Sequence, residues 1–150
     1  MTDMTTTTPI PLVALMADIR DRIARELHSR LADTGFGEVR PSHGCVFRWI
    51  EPDGSRLTTF AERSGFTKQA VGEAVSDLER LGYVERRPDP EDGRAKIIHL
   101  TDRGGEALAT ANRIFAEIER ELGEEIGAER MLDMRETLEA VYWLMRERRP

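Results

Sequence analysis

The stretch from Leu57 to Leu100 constrains this chain more than any other. Leu57 to Ser64 reads as a short helix. Thr58 or Thr59 is its expected N-cap, and Thr59-Phe60-Ala61-Glu62 matches a capping box. Ser64-Gly65-Phe66 makes a tight connection, and Thr67 is placed to cap a second helix reaching Leu81. That helix carries Ala70, Val71, Ala74, Val75, Leu78 and Leu81 as its expected buried stripe, with Gly82 at the C′ position. Tyr83 to Arg87 and Arg94 to Leu100 then predict two strands around the polar tip Pro88-Asp89-Pro90-Glu91-Asp92-Gly93. Two helices around a glycine turn are a common unit on their own. A hairpin directly after them narrows the pattern to a winged helix-turn-helix.

The chemistry of the second helix follows from what its buried stripe leaves free. Thr67, Lys68, Gln69, Gly72, Glu73 and Ser76 are expected on the open face, of a size to enter a major groove about 12 Å wide. Gln69 is suited to bond an adenine edge in two places, Lys68 to bond guanine or phosphate, and Thr67 to bond phosphate or touch a thymine methyl. Gly72 costs about 1 kcal/mol relative to alanine inside a helix. Two readings of it stand side by side: close backbone approach to DNA, or a tolerated surface glycine.

Net charge is −6, which at first argues against nucleic acid. The charge is uneven, however: residues 1–55 and 97–150 are acidic, whereas residues 56–96 balance. Arg86, Arg87, Arg94 and Lys96 cluster around the predicted hairpin tip. A local basic feature on an acidic body supports DNA binding while weakening non-specific binding.

The remaining segments predict helices. Pro11 to Ala32 repeats Leu12, Met16, Ile19, Ile23, Leu27 and Leu31 at helical spacing, with Gly35 as a stop. Pro41 to Ile50 predicts a shorter helix capped by Ser42, with Val46, Phe47 and Ile50 as its apolar stripe, and Glu51-Pro52-Asp53-Gly54 closes it with turn chemistry. Thr101 is expected to cap a long helix from Asp102 to about Ile126, with Leu108, Ala111, Phe115, Ile118 and Leu122 on one face. Gly127 interrupts it, and Ala128 to about Glu147 forms the last helix, with Met131, Met134, Leu138, Val141, Tyr142 and Met145. The expected fold class is mainly α with a small β-hairpin (α+β). Residues 1–9, with the run Thr5 to Thr8, are expected to be a disordered tail.

Several functions are disfavoured by what the sequence contains. No phosphate-binding loop, nucleophile elbow or metal motif is present, so an enzyme is not expected and no cofactor is implied. His28, His43 and His99 share no ligand spacing. The single cysteine, Cys45, forbids an internal disulfide and fits a cytoplasmic setting. It sits near a helix N-terminus, which would lower its pKa, but lacks a resolving partner, so an inert apolar role is preferred to redox sensing. No apolar run approaches a membrane span, and no secretory leader is expected. Glu117, Glu119, Glu121, Glu124 and Glu125 read as a solvated helix face, and Arg146, Arg148 and Arg149 as complements to a helix C-terminus.

Two longer patterns carry a family resemblance. Leu57-Thr58-x-x-Ala61-x-x-x-Gly65-x-Thr67-Lys68-Gln69-Ala70-Val71 and Val75-x-x-Leu78-x-x-x-Gly82-Tyr83-Val84-Glu85-Arg86 resemble the MarR family of bacterial regulators. Pro88-Asp89-Pro90-Glu91-Asp92-Gly93-Arg94-Ala95 resembles its wing, and Leu100-Thr101-x-x-Gly104 the exit from it. The resemblance runs over residues 10–147.

It implies a single chain in which residues 36–101 form the DNA-binding winged helix-turn-helix, and 10–35 with 102–150 form dimerisation helices. It implies a homodimer on a pseudo-palindromic operator in double-stranded DNA, and a regulator, usually a repressor, released by a signal. Arg94 would enter the flanking minor groove, oriented by Asp92. Gly93 stands where the family often has a second arginine, which removes one phosphate contact. The DNA-binding candidates are Thr58, Thr67, Lys68, Gln69, Glu73, Ser76, Arg86, Arg87, Asp92, Arg94 and Lys96. Leu12, Met16, Ile19, Val141, Tyr142 and Met145, with Trp143, are expected at the dimer interface. His43, Phe47 and Arg48 are candidates to line a pocket for a small aromatic or lipophilic effector. Two alternatives to an effector-relieved regulator are a winged-helix protein–protein adaptor and a thiol-based redox-sensing regulator acting through Cys45.

Overall fold

The computed structural model describes residues 9–148, so the expectations for Thr5 to Thr8 and for Arg149 lie outside it. The element order is α1 (Leu12–Ala32), a 3-10 turn (Pro41–His43), α2 (Gly44–Phe47), β1 (Ser55–Arg56), α3 (Leu57–Ser64), α4 (Lys68–Arg80), β2 (Val84–Pro88), β3 (Lys96–Leu100), α5 (Asp102–Ile126) and α6 (Ala128–Glu147). The mainly α class with a small antiparallel sheet is the one the sequence predicts. Two compact units divide within α5, at Ala111 and Asn112.

In the first unit the core lies beneath α4. Val46 of α2, Phe60 of α3, and Val71, Ala74, Val75 and Leu78 of α4 meet Tyr83, Val84 and Ile98 from the sheet and Ala107 of α5. Phe60, Val71, Val75, Leu78 and Tyr83 are fully excluded from solvent, and burial of each such side chain contributes about 1.5–3 kcal/mol. Ala70, expected in this stripe, is exposed instead. The residues at i and i+4 from Val71 carry the contact, and Ala70 is turned about 100° away from them.

Several local expectations change. Pro41 to Ile50 is not one helix capped by Ser42. The 3-10 turn precedes a four-residue α2, and the Arg40 N–H donates to Nδ1 of His43 at 3.0 Å. A buried ring thus satisfies the backbone donor just ahead of the turn, and Arg40 rather than Ser42 stands at its N-cap. Neither Thr58 nor Thr59 caps α3. Its N-cap is Arg56, which has no capping hydrogen bond because the chain enters the helix straight from β1. β1 is itself an addition to the expected hairpin: Ser55 and Arg56 pair antiparallel with Ile98 and Ile97, giving the order β1-β3-β2. Two residues between a turn and a helix give no alternating pattern to read. β2 runs one residue further than expected, to Pro88, which pairs with Lys96. A proline is tolerated there because β2 is an edge strand.

The start of α5 is tied to the sheet. Thr101 N–H donates to the Tyr83 carbonyl at 3.1 Å, its hydroxyl donates to the Gly82 carbonyl at 2.6 Å, and the same oxygen accepts the Gly104 N–H at 3.1 Å. Gly104 is required here by proximity: a Cβ would stand 2.0 Å from the Tyr83 carbonyl oxygen.

The buried positions of α5 are Ala107 and Thr110, then Ile114 and Ile118 in the second unit. Ile118 is buried as expected, whereas Ala107, Thr110 and Ile114 are buried one residue ahead of the expected Leu108, Ala111 and Phe115. Phe115 and Leu122 remain exposed, and α6 buries no residue.

Candidate nucleic-acid interface

α4 begins as the sequence predicts. Thr67 is its N-cap, and Thr67 Oγ1 accepts the Ala70 N–H at 3.1 Å. Gly65, in the left-handed region at φ 73°, ends α3 and turns the chain toward this cap. Thr67, Lys68, Gln69, Glu73 and Ser76 are all exposed. Gln69 donates to the Glu73 carboxylate at 3.2 Å, one turn along the helix.

Gln69, Gly72, Glu73, Ser76, Asp77, Arg80 and Arg86 line one open groove. Gly72 is only partly exposed, and a Cβ there would meet Leu57 at an ordinary contact of 3.8 Å. A side chain at 72 is therefore sterically allowed.

The basic candidates divide by their partners. Arg86 reaches from β2 into the groove, where it pairs with Glu79 and donates to Ser76 Oγ at 3.1 Å. Arg87 pairs with Glu85. Among the described residues, Lys68, Arg94 and Lys96 have no ion pair and are exposed. Asp92 accepts the Arg94 backbone N–H at 3.1 Å. It orders the backbone of Arg94 and leaves the guanidinium open. Thr58 is exposed at the start of α3 but does not line the α4 groove.

Two polar clusters around this face were missed in the sequence. Asp77 of α4 is bonded by Arg40, His43 and Arg80. The Arg80 hydrogen bond, followed by that from His43, holds its carboxyl down to about 2. His43 is 1% exposed, and its Nε2 lies 2.8 Å from Asp77. Burial lowers its pKa despite the carboxylate beside it. With Nδ1 accepting from Arg40, Nε2 must donate to Asp77, so the neutral ring fits both bonds.

The second cluster is at the wing. Asp89 is buried, accepts from Arg56 through Nε at 2.8 Å and through Nη2, and accepts the Glu91 N–H at 2.9 Å. The Glu91 N–H is the main cause of its lowered pKa, with Arg56 also lowering it. An aspartate two residues before an amide in a Pro-Asp-Pro turn is an Asx-turn signal that was available in the sequence. Its ion-pair partner, 33 residues away, was not.

The effector candidates each have contacts of their own. His43 is committed to Arg40 and Asp77, Phe47 packs edge-on against Tyr83 at 6.2 Å, and Arg48 is exposed over Trp49. Cys45 is buried and donates to the Ser42 carbonyl at 3.2 Å. Burial raises its pKa, opposite to the lowering expected from a helix N-terminus. Four residues of helix supply too little dipole to offset the desolvation.

Together, α3, α4 and the β2–β3 hairpin form a winged helix-turn-helix. Residues 39–95 match the sequence model described as the MarR family. This segment is thus similar to the MarR family, as the motifs suggested. Two curated relatives are similar. One is an uncharacterized HTH-type transcriptional regulator, YdcH of Bacillus subtilis, 38% identical over 33% of this chain and 34% of its own length. The other is the transcriptional regulator HosA of Escherichia coli, 29% identical over 64% of this chain and 72% of that protein. The matched part thus spans about a third of the first relative and nearly three quarters of the second. Among solved structures, FabT of Streptococcus pneumoniae in complex with DNA shares the fold with a TM-score of 0.73 at 17% identity, covering 89% of this chain and 94% of that one.

No helix among the described residues is long and apolar enough to cross a membrane.

Proposed function

We propose that this chain is a cytoplasmic, homodimeric transcriptional regulator, acting as a repressor, that reads a pseudo-palindromic operator with α4 and the β2–β3 wing. The observation that carries the reading is the pairing of a capped, exposed recognition face with three exposed cations free of ion pairs. Lys68 opens α4, and Arg94 and Lys96 stand on the wing. Gln69 retains an N–H and its carbonyl for an adenine edge while bonded to Glu73, and Glu73 keeps an oxygen for a cytosine amino group. Arg94 suits the negative potential of a narrow minor groove. A solved DNA complex of FabT, which has the same fold, supports DNA as the partner.

The homodimer reading rests on exposed apolar side chains. Leu12, Val13, Met16 and Ile19 on α1, and Leu132, Tyr142, Trp143 and Met145 on α6, lie open in the single chain. An exposed apolar stripe of this kind on each helix supports an association site. Two reading heads then set half-sites about 34–36 Å apart, one DNA turn. Release by a small aromatic or lipophilic effector accompanies this reading. The buried, hydrogen-bonded Cys45 favours it over a thiol trigger.

The test is selection of duplexes from a randomised pool, followed by fluorescence anisotropy against the selected and scrambled sequences at several salt concentrations. Tight, salt-dependent binding to the selected duplex alone is expected. Absence of binding to either duplex at low salt would overturn DNA as the partner in favour of a protein–protein adaptor.

A further inference from the structure

Asp89 is a buried carboxylate at the base of the wing, and nothing in direct DNA readout requires it. It is 4% exposed, whereas the DNA-facing residues are open. Its bonds join two elements. Arg56 belongs to β1 and leads into α3, the helix before the recognition helix, whereas Asp89 begins the loop that carries Arg94.

From Asp89 the loop is closed by successive bonds. The Asp89 N–H donates to the Ala95 carbonyl at 3.1 Å, the Glu91 N–H to the Asp89 carboxylate at 2.9 Å, the Ala95 N–H to the Asp92 carbonyl at 2.9 Å, and the Arg94 N–H to the Asp92 carboxylate at 3.1 Å. The last three of these bonds fold the seven residues from Asp89 to Ala95, which would otherwise be a flexible polar loop. The Arg56–Asp89 pair ties that folded tip to β1, beside α3. The two arginine nitrogens converge on one oxygen, Oδ2, which leaves Oδ1 for the loop. A planar guanidinium gives this pair a direction that an ammonium would not.

We propose that Arg56 and Asp89 are positioning residues for the wing, holding Arg94 at the angle from which it meets DNA while touching no DNA themselves. The assignment rests on the DNA-binding reading above. Preorganisation is the physical reason for such a tie: a charge on a loop already held in place loses less freedom on binding.

The experiment is a double-mutant cycle on the full chain, using the tightest duplex selected from the randomised pool. Arg94→Ala is expected to weaken binding about ten- to a hundredfold, as for a lost groove contact. Asp89→Asn is expected to weaken it about three- to thirtyfold, the range for groups coupled through one network, and to have no further effect in the Arg94→Ala background. Arg56→Lys keeps the charge without the fork and should give an intermediate loss, which guards against a folding defect in Asp89→Asn. Hydrogen exchange of the Glu91, Arg94 and Ala95 amides should speed up in Asp89→Asn while amides in α4 keep their protection. Equal losses from Asp89→Asn in the wild-type and Arg94→Ala backgrounds would overturn the proposal, as would wild-type affinity in Asp89→Asn. Failure of the wild-type chain to bind any duplex would instead overturn the DNA-binding reading itself.

Discussion

At the scale of single residues, packing and protonation yield sharp expectations. Gly104→Ala would drive a methyl group to 2.0 Å from the Tyr83 carbonyl, so the start of α5 must shift away from the sheet. A loss of about 1–3 kcal/mol is expected, measured by urea denaturation. His43 gives a pH dependence. Its folded pKa lies below the ordinary value of about 6.5. The unfolded chain therefore binds a proton more readily, and stability falls as pH drops below that value, until the folded pKa is reached. The decrease in unfolding free energy between about pH 7.5 and 5.5 should shrink in His43→Gln. An unchanged decrease would show that His43 is not its source. Asp77 works lower down: held to about 2, it contributes stability that is full above the usual carboxylate range and is lost as pH falls from there through about 2.

At the scale of elements, the wing offers a gain-of-function test. Gly93 has no positive φ, and a Cβ there would meet nothing within 4 Å. An arginine therefore fits without strain. Gly93→Arg is expected to tighten binding to the selected duplex and to steepen the salt dependence by about one phosphate contact. Anisotropy titrations at four salt concentrations would check it, and an unchanged slope would show that position 93 faces away from the backbone. The elements themselves were unevenly legible in the sequence. α4 was clear because Thr67, a period of 3.6 and Gly82 all agreed. α2 was misread because the bond that shapes its start comes from a histidine ring, and ring acceptors have no place in capping rules. β1 was missed because a two-residue strand exists only through its pairing with β3.

At the scale of the whole molecule, the exposed faces of α1 and α6 lead to a test of assembly. Ile19 is half exposed on α1, and Trp143 more so on α6, where Arg146 lies over its ring at 5.4 Å. Ile19→Glu and Trp143→Ala are each expected to weaken self-association at least about tenfold, because a charge or a void would enter an apolar contact. Sedimentation velocity across a range of concentrations would read it. Dimerisation unaltered in both variants would move the interface elsewhere. The net charge of −6 acts at this scale as well. It predicts weak non-specific DNA binding, so discrimination between selected and scrambled duplexes should stay high even at modest salt.

By itself, the sequence determined the order of the long helices and the two wing strands, the recognition helix with its cap, the exposed Lys68, Gln69 and Glu73, and the basic wing. Each of these depends on residues near one another in the chain, where helical periodicity, capping and turn chemistry act directly. Only the tertiary structure decided which charges are free. Arg86 and Arg87 look like Arg94 in sequence, yet the first two are paired with Glu79 and Glu85 and the third is open. It likewise decided that Asp89 meets Arg56 across 33 positions and that His43 meets Asp77 across 34. Those partners are chosen by how the elements pack, and an ion pair between distant segments leaves no periodic trace along the chain.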